Sequence, residues 1–446
     1  MLLLLQTLVL LLALIISQEH ESIAQYVPPY TTMVSPVHKH TDAATPLYSV
    51  QIDTLWEITR ITHTNFLIDI DAPFIWHDCI PQWNKHPLTC PMFRLCVSPV
   101  SCEQSQCTKV RNSYSYKNRS CPPETNTSRL PGSGSCSCPI NVMNPFTKSC
   151  SQALLNYDNL IVSTTNGRNP FSAFVVSTLN AACAPSSSFK LFPANVTGVM
   201  ALSSSPYAFQ TFFNQAAKRI LALCLPSSNN SSAPGALFYG DGPYYFLPHS
   251  NFDITRFLSY TPLLKHPDSF GYFIGINAIV IKGRSIEIPM NATTRLSTTK
   301  AYTTLRTDIY TRVVKRFSKV TKRIPLAKPV APFSLCFRTL ITNGTRVGLK
   351  VPDIGFSLQD GKTWTVSTAN SIKQVKKHVA CLAFVDGGAT SDEDAIVIGT
   401  FQFEDNLVVF DLENLRFGFS SSLLRRQTSC ANFNFTNINT NRSLGY

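Results

Sequence analysis

Short apolar runs separated by turn residues dominate this chain, and sustained helical periodicity is scarce. The runs are rich in Val, Ile, Phe, Tyr and Thr, and Gly, Pro, Asn and Ser lie between them, which is typical of β-strands joined by turns. Two segments, 207–220 and 307–319, repeat their apolar residues at the helical period and are predicted as short amphipathic helices. The pattern therefore predicts an all-β fold with a few short helices. The clearest predicted strands are 66–70, 171–177, 236–239, 272–281, 395–398 and 407–410.

The N-terminal sequence has the pattern of a secretory signal peptide, in which an apolar run precedes small residues at the cleavage site. Residues 1–16 are almost continuously apolar, and the small-residue stop Ser22-Ile23-Ala24 follows. We predict cleavage after Ala24, so that 1–24 is the signal peptide and 25–44 an N-terminal extension. A membrane anchor is the alternative, but the run is shorter than the ~20 apolar residues that a spanning helix needs.

The mature chain is too long to fold around a single hydrophobic core of ordinary size, which favours two lobes of similar size. We place the N-terminal lobe at 45–250 and the C-terminal lobe at 251–446. Nine of the fourteen cysteines lie in 79–150. That segment is poor in periodic apolar residues, so we predict an insert of loops held together by disulfide bridges. Because nine is an odd number, at least one of these cysteines must pair with a cysteine outside the segment if all are paired.

Cysteine and asparagine use agree with secretion. In an oxidising compartment the cysteines pair, and a metal site at Cys136-Ser137-Cys138 is disfavoured because no Cys-x-x-Cys or His pair accompanies it. We expect no metal and no cofactor. The chain also contains nine Asn-x-Ser/Thr sequons, of which adjacent Asn229 and Asn230 are not both expected to carry sugar. The glycosylation candidates are Asn118, Asn126, Asn195, Asn229, Asn291, Asn343, Asn434 and Asn441.

The chain is strongly basic, with a formal net charge of +13. Loss of the leader removes two acidic and no basic residues, which raises the charge to +15. A secreted protein of this charge attracts anionic surfaces and acidic partner proteins, and salt weakens that attraction. A nucleic-acid partner is disfavoured, because the basic residues form no motif with interleaved aromatics and the chain leaves the cell.

Segment 66–76 resembles the first active-site strand and turn of pepsin-like aspartic proteases, where apolar residues lead into Asp-Thr-Gly and a later Trp. Asp69 and Trp76 match, whereas Ile70 and Asp71 stand in place of Thr and Gly. Segments 198–202, 395–399, 407–411 and 415–419 resemble other strands of the same family. The resemblance implies a bilobal pepsin-like fold of two β-barrels.

The second catalytic aspartate of such proteases should lie in 295–305, where Ser297 occupies its place. Aspartic proteases need two carboxylates about 3 Å apart that share one proton, and a serine cannot share it. We therefore expect no catalysis, with Asp69 and Ser297 as vestigial positions. The alternative is an active endopeptidase of the same family, which would need Asp69 to work with Asp71.

Local matches at 238–244, 272–276, 332–337 and 428–435 narrow the resemblance to the plant xylanase-inhibitor-like proteins, which include extracellular dermal glycoprotein and basic 7S globulins. The resemblance runs from about residue 45 to residue 435. It implies secretion to the apoplast or cell wall. It also implies that Cys336 pairs with Cys381 and that Cys224 pairs with Cys430.

Members of this family inhibit microbial glycoside hydrolases, which implies that a basic side chain of the C-terminal lobe enters the partner's catalytic cleft. Glycosidases hold two carboxylates about 5–9 Å apart, and a planar, permanently charged guanidinium can contact both. The matching loop, 423–430, offers Arg426 first and Arg425 second, and the loop 319–324 offers Arg323. A seed storage or peptide-binding globulin is the alternative function. The sequence leaves the oligomeric state open.

Overall fold

The structure is a computed structural model of the chain and describes residues 31–43, 45–57, 60–78, 98–113, 136–213, 216–249, 251–290, 292–339, 349–389 and 394–436. The predicted signal peptide and its cleavage site lie outside these ranges. No helix within them is long and apolar enough to cross a membrane. In the same ranges no group of three or more His, Cys, Asp or Glu side chains is placed to hold a metal ion.

Strands make up most of the regular structure in the described ranges, which confirms the predicted all-β class. They are β1 (Thr32–His40), β2 (Leu47–Glu57), β3 (Arg60–Asp69), β4 (Ile75–Asp78), β5 (Ser98–Pro99), β6 (Pro139–Met143), β7 (Cys150–Thr165), β8 (Pro170–Ala184), β9 (Val196–Ala201), β10 (Ile220–Cys224), β11 (Gly235–Tyr239), β12 (Ser259–Pro262), β13 (Leu264–His266), β14 (Ser269–Ile274), β15 (Ile276–Ile281), β16 (Arg284–Glu287), β17 (Thr294–Leu296), β18 (Thr303–Leu305), β19 (Leu326–Ala327), β20 (Cys336–Arg338), β21 (Ile354–Leu358), β22 (Thr363–Val366), β23 (Ile372–Lys376), β24 (Val379–Leu382), β25 (Phe384–Asp386), β26 (Ile396–Ile398), β27 (Leu407–Asp411) and β28 (Arg416–Phe419).

Helices in the described ranges are short. The α-helices are α1 (Ser105–Arg111), α2 (Thr307–Val320), α3 (Thr368–Ser371) and α4 (Thr400–Phe403). Single 3₁₀ turns cover Ser186–Phe189, Phe209–Phe213, Ile254–Phe257, Leu423–Arg426 and Cys430–Asn432.

One large sheet joins the two halves of the chain. Its strand order is β12-β28-β27-β10-β11-β1-β2-β3-β9-β4-β8-β7-β5, with β6 beside β7. The junction is the antiparallel pairing of β10 with β27, in which Ile220 lies opposite Asp411. Three smaller sheets, β13-β14-β17-β26-β18-β25, β16-β15-β21-β22 and β19-β20-β24-β23, belong to the C-terminal half. The first described strand, β1, and the last two, β27 and β28, therefore share one sheet.

The predicted helix at 307–319 is confirmed as α2, whose buried residues Ile309, Val313 and Phe317 recur at the helical spacing. The predicted helix at 207–220 is wrong. In its place the structure has the 3₁₀ turn Phe209–Phe213, and Ile220 already begins β10. The pairing of β10 with β27 fixes that end of the segment as a strand, which overrides its apolar periodicity. The six predicted strand segments all fall on strands.

Disulfides fasten both the insert and the C-terminal half. Bridges join Cys102 to Cys136 and Cys107 to Cys138. The prediction that the insert consists of loops is wrong in part, because α1 and β6 lie within it. Bridges Cys224–Cys430 and Cys336–Cys381, which the resemblance implied, are both present. Cys150 and Cys183 are also disulfide-bonded, and this density of bridges is typical of an oxidising compartment.

Candidate functional site

Asp69 lies at the end of β3, where it caps the turn that follows. Parallel pairing with β9 places Asp69 opposite Ala201, at the carboxyl edge of both strands. Its Oδ1 accepts hydrogen bonds from the backbone N–H groups of Asp71 at 2.8 Å and Ala72 at 3.2 Å. Burial raises the pKa of Asp69, and these two N–H donors partly oppose the effect. The geometry is that of a buried turn carboxylate.

Ser297 follows β17 in the C-terminal half, and its side chain accepts one of the two types of backbone hydrogen bond that Asp69 accepts. Its Oγ accepts a hydrogen bond from the backbone N–H of Thr299 at 3.3 Å, two residues ahead, as Asp69 accepts from Asp71. The two turns also meet. Thr298 donates its hydroxyl to the Ile68 carbonyl at 2.7 Å and accepts from the Ile70 N–H at 3.2 Å. Because Ile70 has no hydroxyl, its side chain offers no return hydrogen bond.

Asp71 is held by an arginine from the other half of the chain. Its Oδ2 lies 3.2 Å from Nη1 of Arg295, whose Nε donates to Asp394 at 2.6 Å. Its Oδ1 is buried with no hydrogen-bond partner among the described residues, and a Cβ at Gly271 would lie 2.2 Å from that oxygen. Burial, partly opposed by the charge of Arg295 and reinforced by the nearby charge of Asp69, raises the pKa of Asp71 to about 7. A side chain at position 271 would therefore displace this carboxyl from its present position.

These groups border a cleft of about 400 Å³. Charged side chains of both signs line it together with aromatic ones. Burial lowers the pKa of Lys148, which lies near the two aspartates, and the charges of Lys300 and Arg295 lower it further. The principal lining side chains are Asp69, Asp71, Trp76, Lys148, Phe270 and Arg295.

The C-terminal arginine loop is fixed at both of its ends. Leu423 donates its N–H to the Asp405 carbonyl at 2.8 Å, and Cys430 donates its N–H to the Asp405 side chain at 3.1 Å. The Cys224–Cys430 bridge then ties the loop to β10. Between these anchors, Gln427 adopts a left-handed conformation with φ of 56°, which turns the chain sharply after the arginines.

Both candidate arginines of this loop are exposed, and each has a neighbour that orients it. Arg425 donates from Nη2 to Asp353 at 2.6 Å, with side chains 54 % and 40 % exposed. The guanidinium of Arg426 stacks over Phe257 at 3.6 Å from the ring centroid. Stacking uses the flat face of the guanidinium and leaves its N–H edges directed to solvent.

Beside the arginine pair lies a pocket of about 290 Å³. Its wall is aromatic and aliphatic, and the arginines form its charged rim. Phe252 at the pocket is 58 % exposed. The principal lining residues are Phe246, Phe252, Ile254, Phe257, Arg425 and Arg426.

Arg323 lies apart, in the turn after α2, where Ile324 donates its N–H to the Thr321 carbonyl at 2.8 Å. Its side chain is exposed, and within the described residues no ion pair or hydrogen bond engages it. Among the glycosylation candidates, Asn195 and Asn229 are exposed and Asn434 is partly buried. The remaining candidates, Asn118, Asn126, Asn291, Asn343 and Asn441, lie outside the described residues.

Family models described as Xylanase inhibitor N-terminal and Xylanase inhibitor C-terminal match residues 58–241 and 271–421. This chain belongs to the xylanase-inhibitor family. It is 35 % identical over 410 residues to Gamma conglutin 1 of Prunus dulcis, covering 90 % of this chain and 89 % of that protein. It is 34 % identical over 433 residues to Probable aspartic proteinase GIP2 of Nicotiana benthamiana, covering 91 % and 92 %.

Solved structures agree with this family assignment. The crystal structure of edgp superimposes with a TM-score of 0.77 at 31 % identity and covers 91 % of this chain and 98 % of that one. The resemblance to the xylanase-inhibitor-like proteins and the bilobal pepsin-like fold, both drawn from the residues, are confirmed.

Sequence reasoning missed several neighbours that define these sites. It did not find Phe257 beneath Arg426, Asp353 beside Arg425, or the ion pair of Asp71 with Arg295. The one available signal was the unusual Asp71, since an acidic residue in place of a glycine needs a countercharge when it is buried.

Proposed function

We propose that this chain is a secreted, non-catalytic protein of the plant apoplast or cell wall that inhibits microbial glycoside hydrolases. Arg426 is its principal contact with the hydrolase, and Arg425 assists. The family supports a hydrolase partner. The observation that carries the proposal is the exposed, stacked guanidinium of Arg426 on a loop anchored by a disulfide.

The geometry of the cleft opposes aspartic-protease chemistry. Such chemistry needs two facing carboxylates that share a proton and activate water. Ser297, which we propose stands in place of the second aspartate, has no carboxylate. The other nearby acid, Asp71, is engaged by Arg295, while Asp69 is engaged by two backbone donors. Each carboxylate therefore already has partners of its own, which opposes a pair that shares one proton.

Magnitudes favour insertion of Arg426 into a hydrolase cleft. A cation–π contact at an exposed site contributes about 0.5–1 kcal/mol, which bounds the cost of lifting the guanidinium from Phe257. A buried arginine anchor in an interface contributes at least about 2 kcal/mol. The fixed loop also loses little conformational entropy on binding. Arg425 should contribute less, because it must first give up Asp353.

The test is inhibition of a panel of fungal endoglucanases and xylanases by the purified mature protein. For a hydrolase that is inhibited, Arg426→Ala should raise the inhibition constant at least about 30-fold, which corresponds to about 2 kcal/mol. Arg425→Ala should raise it less, and Arg323→Ala tests the second loop. Arg284→Ala on exposed β16 is the matched control and should leave inhibition unchanged. Unchanged inhibition by Arg426→Ala would remove that residue from the mechanism.

Acid proteolysis should be assayed on the same preparation. Digestion of a denatured protein that is blocked by a transition-state peptide inhibitor would favour the endopeptidase alternative. The seed storage or peptide-binding globulin is supported by the similarity to a gamma conglutin. Absence of both inhibition and proteolysis would favour that function.

A further inference from the structure

The pocket beside Arg426 has the properties of a small-molecule site. Its volume of about 290 Å³ lies at the lower end of the range for such sites, large enough for one aromatic ring and a short substituent. Phe246 and Ile254 are buried at its base, and Phe252 stands exposed at its side. The shape and lining therefore favour a single planar ring.

The positive charge at the rim of the pocket favours a negatively charged ligand. Arg425 and Arg426 line the pocket together with His249, and none of the described lining residues is acidic. Asp353 neutralises Arg425 from outside the lining, whereas Arg426 has no ion-pair partner within the described ranges. One uncompensated guanidinium over an aromatic wall matches a ligand that carries both a ring and one carboxylate.

Hydrogen bonds hold the wall of the pocket in shape. Its two walls are joined where Thr428 donates its hydroxyl to the Leu247 carbonyl at 2.6 Å and Asn432 donates its side-chain amide to the same carbonyl at 2.8 Å. The Leu247 N–H returns a bond to the Asn432 carbonyl at 3.0 Å. A preformed wall lowers the cost of ordering on binding.

We propose that this pocket binds a small aromatic carboxylate, with the ring against Phe252 and the carboxylate on Arg426. The same guanidinium serves the proposed contact with a hydrolase, so the bound ligand would compete with the hydrolase. That competition rests on the proposed function, but binding of the ligand does not.

The test uses the full mature protein alone and three ligands of one shape: cinnamate, its neutral amide and cinnamylamine. Titration calorimetry should show that cinnamate binds at least about 10-fold more tightly than the amide, as a charge-assisted hydrogen bond requires, and that the cation binds most weakly. Arg426→Gln should remove the preference for cinnamate. Phe252→Ala should weaken cinnamate and the amide alike.

The control Arg284→Gln removes the same charge from an exposed side chain that does not line the pocket, and it should leave the preference intact. Equal loss of preference in Arg284→Gln and Arg426→Gln would assign it to overall charge and overturn the proposal. Equal affinity for cinnamate and its amide, or no binding of either at millimolar concentration, would also overturn it. Absence of hydrolase inhibition would leave the ligand result untouched, so the two proposals fail separately.

Discussion

Lys39 and Glu404 form a buried ion pair that links β1 to the C-terminal half. Lys39 Nζ lies 2.7 Å from Glu404 Oε1, and the side chains are only 3 % and 7 % exposed. Nζ also donates to the Ser227 carbonyl at 2.9 Å, and the Tyr48 hydroxyl donates to the same Oε1 at 2.7 Å. Lys39→Met leaves the carboxylate buried with one donor. We expect the free energy of unfolding to fall by about 3–5 kcal/mol.

The loss should depend on pH with a defined sign. Burial raises the pKa of Glu404, and the charge of Lys39 is the largest opposing effect, so Lys39→Met raises the pKa further. The unfolded carboxyl still ionises near its usual value. The variant's deficit against the wild type is therefore largest above the folded pKa and shrinks as pH falls, because the folded state then retains a proton.

Urea unfolding at pH 5 and pH 8, with disulfides intact, measures both the loss of unfolding free energy and its dependence on pH. The double variant Lys39→Met with Glu404→Gln should recover much of the loss, because the Tyr48 hydroxyl can still donate to the glutamine carbonyl. A loss under about 1 kcal/mol, or equal losses at the two pH values, would refute a buried, charge-dependent link at this position.

Two further predictions concern the cleft and the loop tether. The pKa of Asp71, about 7 against a usual 3.8, means that the folded state retains a proton which the unfolded state has lost, so stability falls as pH rises from about 4 to about 7. Asp71→Asn should remove that part of the slope in urea unfolding from pH 4 to pH 8, and an unchanged slope would contradict the assignment. The bridge Cys224–Cys430 spans 206 residues, so its removal by Ser at both positions should cost about 5 kcal/mol in unfolding free energy. A melting temperature within a degree of the wild type would exclude that role.

The sequence predicted elements well where one local pattern decides them. α2 repeats its apolar residues at the helical period, and the structure keeps that helix. Segment 207–220 carries a similar pattern but fails, because Ile220–Cys224 pair with Leu407–Asp411 in the central sheet. That pairing joins residues nearly two hundred positions apart, and no local window contains it.

The residues of the candidate sites also fall into those that a local pattern marks and those that it does not. Asp69, Ser297 and the arginine loop could be found because short motifs mark them. Their partners could not, since Asp71 meets Arg295, and Arg426 meets Phe257, only after residues far apart in the chain have folded together. The raised pKa of Asp71 likewise follows from burial and from neighbouring charges, which the local sequence does not show.

The asymmetry between Asp69 and Ser297 has a structural cause that does not involve catalysis. Asp69 accepts two backbone N–H groups in its turn, whereas Ser297 accepts one from Thr299. Replacing Asp69 by a residue without an acceptor would leave two donors unpaired, at about 1–3 kcal/mol each where they are buried. A turn with two such donors is satisfied by a carboxylate, while a turn with one is satisfied by a hydroxyl. The turn that Asp69 caps therefore gives this carboxylate a structural role that requires no catalysis.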